Sequence, residues 1–87
     1  MDLQELRKEI DAIDDQLVAL FCQRMEVSAK IGAYKKERNL PIFVPEREQE
    51  KLADVSSKAF PGMERAVQDL YSQIFELSRG LQDEVTP

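Results

Sequence analysis

Four charged side chains in the middle of the chain, Arg24, Lys35, Arg47 and Glu48, stand where a small helical protein would be expected to have apolar residues. Arg24 interrupts a series of apolar residues spaced three and four apart, the spacing of an amphipathic helix. We call this series the seam, and its members are Leu3, Leu6, Ile10, Ile13, Leu17, Leu20, Val27, Ile31 and Tyr34. A guanidinium on such a seam is costly unless it meets a carboxylate or lies beside a polar cavity. The pattern therefore indicates a site for an anionic ligand.

Arg24 and Lys35 are placed to share one ligand. They are eleven residues apart, which on an α-helix is about 20° around the axis and roughly 16 Å along it. Both side chains are long enough to lean toward an anion between them. The alternative is that Arg24 pairs with a buried glutamate and Lys35 is an ordinary surface lysine, because buried ions usually have partners.

Arg47 falls in the first turn of a predicted helix, where a cation opposes the helix dipole. An anion near the free backbone N–H groups of that turn would explain its presence. The alternative, which the frequency of such pairs favours when Arg47 is taken alone, is a surface ion pair with Glu46, Glu50 or Glu37.

Two polar side chains near the end of the chain, Ser78 and Gln82, are four residues apart and therefore lie on one face of a helix. They continue a stripe that begins with Tyr71 and Phe75. The alternative is that the helix simply becomes more polar toward its end.

The composition excludes several classes of function. The formal net charge of −5 and the pI near 4.7 argue against binding to nucleic acid or to an anionic membrane surface. No apolar run is long enough to span a bilayer, and the acidic N-terminus does not resemble a signal peptide. The lone cysteine, Cys22, cannot form an internal disulfide and fits a reducing cytoplasm.

Metal and acid–base chemistry also lack their usual residues. The chain has no histidine and one cysteine, so zinc, haem and histidine-based proton transfer have no ordinary ligands. We therefore expect no cofactor and no metal, and any enzymatic activity would depend on binding and electrostatics.

The periodic pattern predicts an all-α fold of three helices in a single domain, residues 1–87. The first is long, about residues 2–37, and Asn39 and Pro41 end it. The second begins with Pro45 and continues to about residue 59, and the third covers about residues 63–83 after a Pro61-Gly62 break.

The length of the first helix predicts a partner. A helix of 36 residues is about 54 Å long, whereas a compact domain of this size is roughly 25 Å across. Much of the seam would remain in water in a single chain. The sequence therefore predicts a homodimer with two-fold symmetry and long helices side by side.

In order and spacing, these residues resemble the all-helical chorismate mutase family over nearly the whole chain. The matching segments are residues 6–14, 23–24, 31–35, 41–42, 45–48 and 76–78, followed by Gln82. No single segment is decisive, but the set is highly specific. The resemblance implies a dimer with two sites, each inside a helical bundle. It also implies the conversion of chorismate to prephenate in phenylalanine and tyrosine biosynthesis.

The resemblance implies a substrate-binding set with seven members: Arg7, Arg24, Lys35, Arg47, Glu48, Ser78 and Gln82. Lys35 and Gln82 would face the departing ether oxygen, and the three arginines would hold carboxylates. Ser78 would support a carboxylate contact, and Glu48 would accept a hydrogen bond from the ring hydroxyl. Arg7 would otherwise be interpreted as a surface residue.

The implied reaction suits a chain with few catalytic groups. One C–O bond breaks while a C–C bond forms in a chair-like transition state, with no proton transfer or nucleophile. The protein would hold a flexible dicarboxylate in its reactive conformer and stabilise negative charge on the ether oxygen. Val44 departs from the family, which often has Asp there, and this forfeits a helix N-cap worth about 1 kcal/mol.

Two alternative functions are considered. An isochorismate-pyruvate lyase shares this fold and its cations, but Glu48 favours the mutase because it offers an acceptor for the hydroxyl of chorismate. A helical dimerisation module without an active site would explain the seam and the acidic surface. It would not explain Arg24 on the seam together with Lys35 and Arg47.

Arg7 and Arg24 are seventeen residues apart on one helix, or roughly 25 Å along its axis. Two arginines would hardly close that distance on one small ligand. If the long helices pair antiparallel, the N-terminal part of one passes the middle of the other. The sequence therefore predicts an intertwined antiparallel homodimer in which each site receives Arg7 from the partner chain.

Overall fold

The computed structural model describes residues 2–84, which form three α-helices and no strand. Helix α1 spans Leu3–Glu37, α2 spans Pro45–Lys58 and α3 spans Glu64–Glu84. The predicted all-α class is confirmed, and each predicted helix end lies within one residue of the observed end. No helix in this part of the chain is both long enough and apolar enough to cross a membrane.

Local signals explain where the first two helices begin and end. The Asp2 side chain caps α1 by accepting a hydrogen bond from the Glu5 N–H at 2.9 Å. After α1, Asn39 adopts a left-handed backbone with φ of 56°, a conformation that asparagine tolerates better than most residues. Pro45 occupies the first turn of α2. The preceding Val44 makes no side-chain cap, as expected because valine has no hydrogen-bond acceptor in its side chain.

Helix α3 packs against both other helices. Arg79, near the end of α3, contacts Glu48 at the start of α2, whereas Gln68, near the start of α3, contacts Ser56 near the end of α2. The two helices are therefore antiparallel. Ile74 and Phe75 of α3 are the buried hydrophobic residues of the described chain.

The seam is not the face of α1 that packs on α3. The buried residues of α1 are Ser28 and Gly32, one turn apart on a flank of the seam. Small residues at this spacing let the two helices approach closely. The seam residues themselves are each 42% to 61% exposed.

The chain forms a flat layer with dimensions of 55 × 25 × 14 Å. Every residue from 2 to 23 is exposed, so the first half of α1 extends beyond the part that packs on α3. The exposed seam is a continuous apolar surface of the kind that normally marks an interaction site.

Candidate active site

A cavity of about 340 Å³ lies where the three helices and the loop between α1 and α2 meet. Its volume is within the range of roughly 300–1,000 Å³ typical of small-molecule sites. Six of the seven side chains that the sequence suggested line it: Arg24, Lys35, Arg47, Glu48, Ser78 and Gln82. The fold thus brings together groups from all three helices.

Arg24 projects from α1 against α3 and is half-buried. Its Nη1 donates to the Ser78 hydroxyl at 3.0 Å, and its guanidinium carbon lies 5.7 Å from the centre of the Tyr71 ring and 6.0 Å from that of Phe75. Within residues 2–83 no carboxylate lies at ion-pair distance from this guanidinium, so these residues supply no glutamate partner. Aromatic faces and one hydroxyl stabilise the charge, which leaves further N–H donors for a ligand.

Lys35 is also half-buried and lines the cavity, unlike an ordinary surface lysine. Its Nζ donates to the backbone carbonyl of Ile42 at 3.1 Å. This bond ties the ammonium group to the loop between α1 and α2. An ammonium group has three donors, so two remain available to a ligand.

Arg47 is the most exposed of the cavity cations. Its Nη1 lies 2.9 Å from Glu50 Oε1, and the two side chains are 62% and 73% exposed. The surface ion pair considered from the sequence is therefore present. Such an exposed pair contributes at most about 1 kcal/mol, so an anion in the cavity can compete for the guanidinium.

Glu48 lines the cavity as half of an ion pair with Arg79. Arg79 Nη1 lies 2.5 Å and 2.6 Å from the two carboxylate oxygens, and its guanidinium carbon lies 4.8 Å from the centre of the Phe43 ring. Sequence reasoning missed Arg79. The available signal was its spacing, three residues before Gln82 and therefore on the same helix face.

Gln82 is buried at the contact between α1 and α3. Its Nε2 donates to the Ser28 hydroxyl at 3.0 Å. Sequence reasoning also missed Ser28, although it lies one turn after Arg24 and seven residues before Lys35, and so shares their side of α1.

Arg7 does not line the cavity. It is exposed on the first half of α1, in the region where the described residues leave the helix uncovered. Its predicted role in the partner's site stays a prediction.

The site combines several cations, one compensated carboxylate and a buried amide, which suits a small ligand with more than one carboxylate. The cations that line it are Arg24, Lys35, Arg47, Lys51 and Arg79. Among the described residues, no group of histidine, cysteine, aspartate and glutamate side chains is arranged to hold a metal ion.

Comparisons with known proteins agree with this arrangement. A sequence model described as chorismate mutase type II matches residues 6–83. The chain is 35% identical over 89 residues to a bifunctional chorismate mutase/prephenate dehydratase of Aquifex aeolicus, and the match covers 97% of the chain and 25% of that protein. It is 46% identical over 46 residues to the T-protein of Haemophilus influenzae, covering 53% of the chain and 12% of that protein. The chain thus spans a quarter or less of these curated relatives.

The chain also matches a solved structure, and this match extends over nearly the whole length of both chains. The chorismate mutase of Helicobacter pylori in complex with prephenate matches with a TM-score of 0.85 and 37% identity, over 95% of this chain and 91% of that one.

Proposed function

The chain belongs to the chorismate mutase type II family, and we propose that it converts chorismate to prephenate in the biosynthesis of phenylalanine and tyrosine. The observation that carries the proposal is the cavity, which gathers six of the seven side chains assigned from the sequence. The similar H. pylori enzyme was solved with prephenate bound, the product that this reaction would form.

In this proposal the arginines hold the two carboxylates of the substrate. Arg24 has a fixed position because Ser78 and two aromatic rings surround it, and its remaining N–H groups can pair with a carboxylate in a bidentate manner. Arg47 exchanges its exposed partner Glu50 for the second carboxylate. Binding both ends of the substrate restrains it in the compact conformer that reacts.

Lys35 and Gln82 are the proposed catalytic residues because they would face the ether oxygen, where negative charge grows as the C–O bond breaks. Lys35 is already held by the Ile42 carbonyl, so little reorganisation is needed when the charge develops. A positioned donor of this type typically contributes about 2.7–4 kcal/mol to transition-state stabilisation. The rearrangement moves no proton, so none of these residues has to act as an acid or base.

Glu48 would accept a hydrogen bond from the ring hydroxyl of chorismate. The Arg79 guanidinium holds its carboxylate at the cavity wall, and an acceptor at this position supports a mutase rather than an isochorismate-pyruvate lyase. A dimerisation module without an active site would have no use for a cavity lined by Arg24, Lys35 and Arg47.

We further propose that residues 1–87 act as a single domain in the cytoplasm and as an antiparallel homodimer. The exposed seam on the first half of α1 supports a second copy, whose long helix would cover it. In that arrangement Arg7 of one chain completes the site of the other, which explains why a conspicuous cation lies far from the cavity of its own chain.

The proposal is tested by adding the purified protein to chorismate and following the loss of its ring absorbance, with and without a chelator. We expect prephenate to form at the same rate in both, and isochorismate to release little pyruvate. Rapid pyruvate release from isochorismate with no effect on chorismate would show that the protein is a lyase instead.

A further inference from the structure

The amide of Gln82 has one polar atom without a partner among the described residues. The residue is 9% exposed. Its Nε2 donates to Ser28, whereas its Oε1 is buried and accepts no hydrogen bond from the described residues. A buried carbonyl without a donor is destabilising because it has lost its hydrogen bonds to water. In this orientation, therefore, the amide does not satisfy all of its hydrogen-bonding groups.

Ser28 can correct this because a hydroxyl both donates and accepts. The residue is 4% exposed, and its Oγ accepts from Gln82 at 3.0 Å. The hydroxyl hydrogen is poorly used, since its acceptor is the Ser78 carbonyl at 3.5 Å, beyond the usual range for O–H···O bonds. If the amide turned by 180° about its last torsion, the Ser28 hydroxyl would donate to Oε1 at the shorter distance.

This reversal is the orientation that the proposed reaction needs. An ether oxygen with growing negative charge accepts hydrogen bonds and is repelled by a carbonyl oxygen. With Oε1 held by the Ser28 hydroxyl, the amide N–H groups would take the present place of Oε1, on the side of the amide away from Ser28. Gln82 is one of the residues that line the cavity. The same serine can thus accept a hydrogen bond from the amide in one orientation and donate one to it in the other.

We propose that Ser28 is a positioning residue that sets the orientation of the Gln82 amide, so that its N–H group and not its carbonyl meets the ether oxygen of the substrate; this inference rests on the proposed mutase function. Ser28 acts through Gln82 and does not itself contact the reacting atoms. Its place on α1, on the same side as Arg24 and Lys35, fixes the hydroxyl relative to the proposed cationic donors.

The experiment compares kcat and KM for chorismate in the wild type and in Ser28→Ala, Ser28→Thr and the control Ser72→Ala, an exposed serine of α3. Loss of a neutral hydrogen bond of about 0.5–1.5 kcal/mol predicts that Ser28→Ala lowers kcat roughly two- to tenfold. KM should change little, because the amide acts mainly in the transition state. Ser28→Thr keeps the hydroxyl but adds a methyl group at the close contact of α1 and α3, so it should retain more of the rate than Ser28→Ala without reaching the wild-type value. Ser72→Ala should match the wild type.

A double-mutant cycle with Gln82→Ala separates positioning from general destabilisation. If Ser28 acts through the amide, Ser28→Ala should lower kcat no further once the amide is absent. An equal loss of kcat in both backgrounds, or a change confined to KM, would overturn the inference. Should Ser28→Ala fail to fold, Ser28→Cys replaces it, since a thiol is a weak donor.

The outcomes also separate this inference from the proposed function. A wild-type protein that converts chorismate, with Ser28→Ala equally active, would overturn the role of Ser28 and leave the mutase function intact. A wild-type protein that leaves chorismate unchanged would overturn both.

Discussion

The two halves of α1 carry the same apolar seam but have different surroundings. In the second half, Val27 and Ile31 form part of the cavity wall beside Arg24 and Lys35, and α3 packs on the flank. In the first half, every residue from 2 to 23 is exposed. The comparison shows that a heptad pattern predicts that a helix face will pack but does not identify its partner.

Arg24 stands at the boundary between the two halves. The seam is unbroken before it and resumes after it as the wall of a polar cavity. We infer that the first half binds a second chain and the second half binds a ligand, and the following variants test that division.

The largest expected effect is in the second half. Lys35→Ala should lower kcat by about a hundred- to a thousandfold, the usual loss for a missing donor to a developing anion, with a much smaller change in KM. The matched control is Lys30→Ala, an exposed lysine of the same helix. An effect on KM alone would mean that Lys35 is only an anchor for the substrate.

A change in the first half should act on assembly. Leu17→Glu places a charge on the seam and should abolish the dimer, because burying an unpaired carboxylate costs several kcal/mol. Sedimentation would measure the mass, and activity should fall with it. Ala19→Glu adds the same charge on the other side of the helix and should remain dimeric; an active Leu17→Glu protein of single-chain mass would contradict a shared site.

Gln82→Glu tests the donor across from the second half of α1. The amide donates at any ordinary pH, so the wild-type rate should be nearly flat around neutrality. The introduced carboxyl donates only when protonated, and the ordinary glutamate pKa is about 4.3, so the variant should be active in acid and lose about tenfold per pH unit above its pKa. A variant with an unchanged pH profile would place Gln82 away from the reacting oxygen.

A mixing experiment tests whether the first half of one α1 helix contributes to the site formed by the second half of another. Arg7→Ala and Arg24→Ala should each be nearly inactive. Unfolded together and refolded, the mixture should recover about a quarter of normal activity, because random pairing makes half of the dimers mixed and half of their sites intact. Mixed dimers of confirmed mass that show no activity would place Arg7 in the site of its own chain or in none.

The smallest expected effect comes from a substitution on α2, away from both halves of α1. Hydrogen bonds from Lys58 and Lys51 lower the pKa of Asp54 on α2. A carboxyl with a lowered pKa in the folded state stabilises the fold above its unfolded pKa and loses this contribution as the pH falls through the folded value. Asp54→Asn should therefore reduce the melting temperature slightly at neutral pH and not in strong acid, with catalysis unaltered.

The fold could be predicted from the sequence because the residues that begin and end the helices are recognisable by type. Asn39, Pro45 and the Pro61-Gly62 pair mark helix ends by backbone conformation alone, which requires no knowledge of tertiary contacts. Six cavity residues were likewise found, by conflict with the apolar pattern or through the resemblance to the family.

The missed residues depend on contacts between helices. Ser28 meets Gln82 across 54 positions of the chain, and Arg79 meets Glu48 across 31. Each lies at helical spacing from a cavity residue, but its hydrogen-bond partner is on another helix, so its role depends on how α3 packs. The choice between the two interpretations of Arg24 also depended on such contacts, since its partners are the Ser78 hydroxyl and the Tyr71 and Phe75 rings of α3.

The 14 Å thickness of the chain would make the stability of the proposed homodimer depend on dilution. The described residues bury only Ile74 and Phe75 among their hydrophobic side chains, so in the proposed homodimer much of the apolar burial would come from association. For such a dimer, each tenfold dilution removes about 1.4 kcal/mol from the free energy of unfolding. Folding and catalysis would then share one concentration threshold, below which the chain loses its shape and its chemistry together.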